Sequence, residues 1–138
     1  MYVAGRRGDR PWRLGIRDPR GPADRTFATL DLSDSTFSTS GDYERFFTQN
    51  GVRYHHLIDP DLGRPAQGTR SVTIVAKSAT QADWLSTGVF VSGPEVGMAL
   101  IERLPDVEGV IVTDRNQVLV SSGLKDTLHI VARPTDAP

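Results

Sequence analysis

Ser71-Val72-Thr73-Ile74-Val75-Ala76, then Ala82-Asp83-Trp84-Leu85-Ser86-Thr87-Gly88-Val89 and Ser92-Gly93-Pro94, mark the place where the hydrophobic period of this chain changes. The first block is a compact β-branched strand. From Ala82 onward the apolar positions Ala82, Leu85 and Val89 fall at helical spacing, with Thr80 placed as N-cap and Ser92-Gly93 closing the helix. Pro94 suits the first turn of a second helix. Its buried stripe reads Val96, Ala99, Leu100, Ile101 and Leu104, and Pro105 ends it.

On both sides of this helical pair the chain alternates at the period of strands. Trp12–Ile16 and Phe27–Leu32 alternate apolar and polar residues around the break Asp18-Pro19-Arg20-Gly21-Pro22, which predicts a hairpin. Thr36–Ser40 is a short β-prone run ending at Gly41-Asp42. Tyr43–Thr48 and Arg53–Ile58 flank Gln49-Asn50-Gly51, a second hairpin signal, because Asn-Gly accepts positive φ at both turn positions. Beyond the helices, Val107–Thr113 and Gln117–Ser121 bracket Asp114-Arg115-Asn116, and Leu128–Val131 adds a last strand before a tail containing Pro134 and Pro138. Strands, a central pair of consecutive helices, then strands again give an α+β order with mostly antiparallel pairing rather than a βαβ ladder.

The 138 residues are one domain's length, and 38% apolar content supplies a core without crosslinks. There is no cysteine, which excludes thiol nucleophiles and thiolate metal sites in this chain. Sixteen Lys and Arg against seventeen Asp and Glu leave a net charge of −1, so no overall field draws nucleic acid or an anionic membrane. No apolar run approaches the roughly 20 residues of a membrane span, and no apolar stretch follows Arg6-Arg7 as an export signal requires.

Three stretches carry chemistry-bearing residues. Asp83 and Thr87 stand four apart on the predicted helix and project from one face, offering the carboxylate and hydroxyl oxygens that a hard cation such as Mg²⁺ takes. The alternative is local, since Thr80-x-x-Asp83 is close to a capping box. In His55-His56-Leu57-Ile58-Asp59-Pro60 neighbouring side chains point to opposite faces of a strand, so the two histidines do not share one metal. One of them could serve as a general base, or both could hydrogen-bond neighbouring strands. Ser38-Thr39-Ser40-Gly41-Asp42-Tyr43 places hydroxyls, a glycine and a carboxylate at a strand end, a string that suits a phosphate cradle or an ordinary turn. No Walker, Gly-x-Gly-x-x-Gly or Gly-x-Ser-x-Gly sequence is present.

Taken in order, Trp12–Pro19, Ser38–Tyr43, His55–Pro60, Ala82–Thr87 and Ser121-Ser122-Gly123 resemble the carboxyl-terminal half of the FAD:protein FMN transferases, the ApbE family. The resemblance divides the chain into residues 1–124, the C-terminal part of an ApbE-like domain, and 125–138, a terminal strand and polar tail. It implies an enzyme that binds FAD with Mg²⁺, transfers FMN to a threonine hydroxyl of a target flavoprotein and releases AMP. Asp83, Thr87 and the Ser86 carbonyl are then the metal ligands, and His56 is the transfer residue, leaving His55 structural. Ser40, Gly41, His56, Leu57, Ile58 and Asp59 are the implied flavin-binding positions, with the apolar pair Leu57 and Ile58 beside the flavin.

Members of that family are much longer. Their amino-terminal half supplies most of the FAD cradle, a further metal-site carbonyl and a Gly-Gly-Asp motif, so the expectation is a truncated or separately encoded half with little transferase activity alone. The alternatives are a non-catalytic flavin-binding or assembly module that pairs with a separate N-terminal half or with a second copy, and a metal-dependent phosphohydrolase acting through Asp83 and His56. The family is commonly periplasmic or lipid-anchored, and this chain carries no motif that decides its compartment.

Overall fold

The computed structural model describes residues 1–137. The strands are β1 (Tyr2–Val3), β2 (Trp12–Arg17), β3 (Thr26–Leu32), β4 (Ser35–Gly41), β5 (Phe46–Gln49), β6 (Val52–His55), β7 (Ile58–Asp59), β8 (Arg64–Pro65) and β9 (Thr69–Ala76). Helices α1 (Ala79–Ser92) and α2 (Pro94–Arg103) follow, then β10 (Val107–Thr113), β11 (Val118–Val120), a 3₁₀ turn at Ser122–Leu124 and β12 (Leu128–Ile130). The α+β order is the one the periodicity predicts.

Five strands form the central sheet in the order β1-β4-β9-β10-β11, every neighbouring pair antiparallel. Strict alternation along β9 divides the core. Val72, Ile74 and Ala76 pack under the helices with Ala82, Leu85, Val89, Phe90 and Ile101, while Val75 joins Val110 and Val112 on the opposite face. That second face is covered by the three-stranded sheet β12-β3-β2 through Ile16, Phe27, Ala28, Leu30 and Leu32. β9 is therefore buried along its whole length, as the middle strand of the middle layer must be.

The hairpin β5–β6 turns at Asn50-Gly51, both at positive φ, and stands outside the two larger sheets. It is shorter than its two apolar runs suggest, because the chain leaves the ladder at His55 and Ile58-Asp59 pairs instead with Arg64-Pro65.

Two local expectations are corrected. The N-cap of α1 is Ser78, whose side chain accepts from the Gln81 N–H, so the helix starts two residues earlier than Thr80 implies. On α2 the buried positions are Gly97 and Ile101, with Met98 and Leu104 packed against the core. Val96, Ala99 and Leu100 face outward. A β-carbon at Gly97 would lie 2.6 Å from Val89 Cγ1 and 3.0 Å from its carbonyl oxygen, so α2 meets α1 at the glycine and its apolar stripe is turned away.

Candidate functional site

Ser38 and Ser40 alternate with Phe37 and Thr39 along β4, which sends the two serines to the helix side of the sheet. Thr39 on the other face bonds Thr73 across the ladder at 2.9 Å. Over the serines runs α1. The Ser38 hydroxyl donates to Asp83 Oδ1 at 3.2 Å, and Ser40 Oγ lies 2.8 Å from Ser86 Oγ and 3.1 Å from Thr87 Oγ1. Ser86 is buried and its hydroxyl donates to the Asp83 carbonyl at 2.8 Å, while Asp83 and Thr87 face solvent. Four of the expected positions, Ser40, Asp83, Ser86 and Thr87, thus fall into one hydrogen-bonded cluster, and Ser38 belongs to it as well. Period-two alternation from Ser40 is the signal that points to Ser38.

Every donor in this cluster is oxygen and only one is a carboxylate. No group of three or more His, Cys, Asp or Glu side chains converges among the described residues. Such a set suits a hard cation that keeps water and takes phosphate oxygens, and it does not suit a softer ion that needs imidazole or thiolate.

Gly41 and Asp42 close the end of β4. A β-carbon at Gly41 would overlap the Tyr43 ring, so only glycine fits beneath it. Burial, with the Glu44 charge second, pushes the Tyr43 phenol up to about 12 and keeps it protonated. Asp42 is held by Arg20 through two contacts of 2.6 Å, a bidentate pair buried on both sides.

The histidines separate by alternation. His55 is buried, with its ring edge-on to Phe90 at 5.6 Å and Nε2 3.1 Å from the Ala66 carbonyl. A carbonyl only accepts, so Nε2 carries the proton and Nδ1 is free to accept from the Leu57 N–H at 3.3 Å. Burial holds this imidazole below its ordinary pKa. Leu57 is also buried, in the cluster that contains Val89 and Phe90. His55 and Leu57 therefore fasten the segment to α1, and His56 between them points out.

His56 is held by one carbonyl. The Arg45 oxygen accepts from the His56 backbone N–H at 3.2 Å and from Nδ1 at 3.3 Å. Nδ1 is the protonated nitrogen by the same reasoning, and the lone pair of Nε2 is left to accept a proton. The ring lines a cavity of about 460 Å³ whose other walls include Arg45, Phe46, Phe47, Tyr54, Ile58 and Pro65. Phe47 and Tyr54 stack at 5.1 Å and 9°, and Arg53 sits 4.0 Å over the Phe46 ring. Among the described residues, Arg45 is the one Lys, Arg, Asp or Glu in the lining of this cavity. Of the expected flavin positions, His56 and Ile58 face this cavity. Asp59 turns its carboxylate onto the Asp61 and Leu62 N–H groups at 2.9 and 3.2 Å.

Comparison with known proteins places the chain in a family. The sequence model of the ApbE family matches residues 1–111. An FAD:protein FMN transferase of Treponema pallidum is 40% identical over 121 residues, covering 87% of this chain and 33% of the relative. One of Rhodobacter capsulatus is 30% identical over 147 residues, covering 99% of this chain and 28% of the relative. The crystal structure of an ApbE protein from Thermotoga maritima superposes with a TM-score of 0.80 at 39% identity, over 90% of this chain and 40% of that one. The flavin transferase ApbE of Vibrio cholerae does so with a TM-score of 0.72 at 34% identity, again over 90% and 40%. The chain spans about a third of the length of the curated relatives it matches.

Proposed function

This chain belongs to the ApbE family, and on that premise we propose that it carries the metal-holding and transfer-histidine part of an FAD:protein FMN transferase. Its substrates in this reading are FAD and a target flavoprotein with an acceptor threonine. The threonine hydroxyl attacks the FMN phosphorus of FAD, a phosphoester bond forms, the pyrophosphate bond breaks and AMP leaves.

The observation that carries this reading is the oxygen cluster that Ser40 of β4 forms with Asp83, Ser86 and Thr87 of α1, within a fold whose relatives bear the transferase name. Asp83, Thr87 and the Ser86 carbonyl are the groups that would hold Mg²⁺, whose chemistry is neutralisation of the charge spread over a reacting phosphoryl group. Ser40 fixes the rotamers of Ser86 and Thr87. His56, oriented by the Arg45 carbonyl, presents Nε2 to take the threonine proton. The aromatic walls around His56, with Arg45 beside them, suit a planar flavin ring, with Ile58 against its face.

The test is flavinylation followed by intact-mass spectrometry. The 138-residue chain is incubated with FAD, Mg²⁺ and a target flavoprotein, alone and together with a polypeptide supplying the two-thirds of a relative that this chain does not span. Covalent FMN on the target that His56→Ala lowers about 100-fold or more supports the reading. Transfer unaffected by His56→Ala and Asp83→Asn overturns these roles. AMP and free FMN released without an acceptor identifies hydrolysis instead.

A further inference from the structure

Two short hairpins wall the His56 cavity, and they meet at His55. Phe46, Phe47 and Tyr54 come from the β5–β6 pair, whose last rung is Phe46 against His55. Ile58 and Pro65 come from the β7–β8 pair, where they stand opposite each other. The register of that second ladder, Asp59 against Arg64 and Ile58 against Pro65, makes Leu57 against Ala66 the next rung. The Ala66 N–H donates to the Leu57 carbonyl at 3.0 Å, which marks a rung that ordinarily exchanges two hydrogen bonds.

The second bond of this rung runs through a side chain. The Leu57 N–H donates to His55 Nδ1 at 3.3 Å, and Nε2–H on the far side of the same ring donates to the Ala66 carbonyl at 3.1 Å. One imidazole thus stands between a backbone donor and a backbone acceptor, and only its neutral, Nε2-protonated form serves both. Its edge contact with Phe90 at 5.6 Å seats it on α1, and burial, which lowers its pKa, favours that neutral form. His55 therefore belongs to both ladders: its backbone closes the first, and its two nitrogens complete the second.

His56 lies within this link. His55 and Leu57 on either side of it are buried, while its own backbone N–H and Nδ1 both reach the Arg45 carbonyl, one residue before the first hairpin. The orientation of the His56 ring depends on where segment 55–57 stands relative to Arg45, and the His55 ring is what ties that segment down. Resting on the reading of His56 as the transfer residue, we propose that His55 is its positioning residue: the ring that joins Leu57 to Ala66 holds the two hairpin walls in register and keeps His56 bonded to Arg45 through Nδ1, with Nε2 free to accept a proton.

The test compares His55→Phe and His55→Gln with the parent 138-residue chain. Phenylalanine keeps a ring against Phe90 but offers neither nitrogen, whereas glutamine supplies one donor and one acceptor. Nitrogen-15 NMR of the imidazoles reads the His56 tautomer without FAD, metal or acceptor, so its outcome is separate from whether His56 performs the transfer. The parent is expected to carry the proton of His55 on Nε2 and that of His56 on Nδ1. His55→Phe is expected to move His56 toward the mixed tautomers of an unconstrained imidazole and to speed exchange of the Leu57 amide about tenfold or more. In the flavinylation assay with the complementary polypeptide it lowers kcat about tenfold or more, and His55→Gln recovers most of each loss. Where His55→Phe does not fold, His55→Gln decides: a His56 tautomer and a Leu57 protection like the parent's support the link. A parent His55 protonated on Nδ1, a folded His55→Phe chain whose His56 keeps the Nδ1 tautomer, or a His55→Gln chain that loses both that tautomer and the Leu57 protection overturns the proposal.

Discussion

Thr135 donates its backbone N–H to both carboxylate oxygens of Asp18, at 3.1 and 3.0 Å, and its hydroxyl to Oδ2 at 2.7 Å, across 117 positions of chain. Asp18 is fully buried and also accepts from the Arg20 and Gly21 N–H groups, with Arg25 at 3.1 Å. Nearby, Arg70 bonds the Thr135 carbonyl and Asn116 bonds that of Pro134, so the polar tail is tied to the loop after β2 and to one end of the central sheet, at the start of β9 and the β10–β11 turn. Thr135→Val removes one donor to a buried charge. It is expected to lower stability by about 1–3 kcal/mol, read from urea unfolding at pH 7.

Acid should weaken the fold in two stages. Burial makes the Nε2-protonated neutral form of His55 the favoured one and lowers its pKa, so the unfolded chain binds the proton first. That contribution is complete above the ordinary value of 6.5 and is lost as the pH falls through the lower folded value. For Asp18, burial alone would raise the carboxyl, but the hydrogen bonds from Thr135, Arg20 and Gly21 outweigh it and hold the group below 3.8. Its contribution is present above 3.8 and disappears as the pH falls through its own folded value. The urea midpoint should therefore start to decline just below pH 6.5 and decline again below pH 3.8, and histidine NMR should find His55 neutral in the first interval.

Removing the Ser38 hydroxyl leaves Asp83 Oδ1 without the donor that orients it. Ser38→Ala is expected to weaken Mn²⁺ binding about tenfold, measured by electron paramagnetic resonance on the 138-residue chain, with little change in Tm. Asp83→Asn should abolish that binding.

Two helical glycines should respond in opposite directions. At Gly88, on the exposed side of α1, an added β-carbon meets nothing within 4 Å, and Gly88→Ala is expected to stabilise by about 0.5–1 kcal/mol through helix propensity. Gly97→Ala gains the same propensity but drives a methyl into Val89, side chain and backbone. The overpacking of about 1–3 kcal/mol outweighs the gain. Thermal denaturation of both variants beside the parent measures the difference in sign.

Much of the secondary structure is legible because its signals are local. Asn50-Gly51 sets its hairpin whatever lies around it, Gly93 and Pro94 separate the two helices by backbone restriction alone, and the β-branched run at Val72–Val75 forms the central strand. The errors occur where a neighbour decides. Ser78 and Thr80 are both capable N-caps, and the packing of α1 on the sheet starts the helix at the earlier one. The apolar count on α2 favours Val96, Ala99 and Leu100, yet the face that enters the core is the one with the glycine, because only there do two helix backbones approach closely. Ordered motifs suffice to name Ser40, Asp83, Thr87 and His56, but not to show that Ser38 joins the first three or that Arg45 orients the fourth. Those partners are distant in sequence or bond through backbone oxygen.

By itself the sequence determined the α+β order, the turns, the helical pair and the residues able to do chemistry, since each depends on the identities of residues a few positions apart. Tertiary structure decided which sheet each strand joined, which face of α2 is buried and which histidine faces out. It also decided that Asp18 captures Thr135 and that the His55 ring joins Leu57 to Ala66. These outcomes depend on side chains dozens of positions apart competing for the same space and the same hydrogen bonds. That competition is settled only when the whole chain is packed.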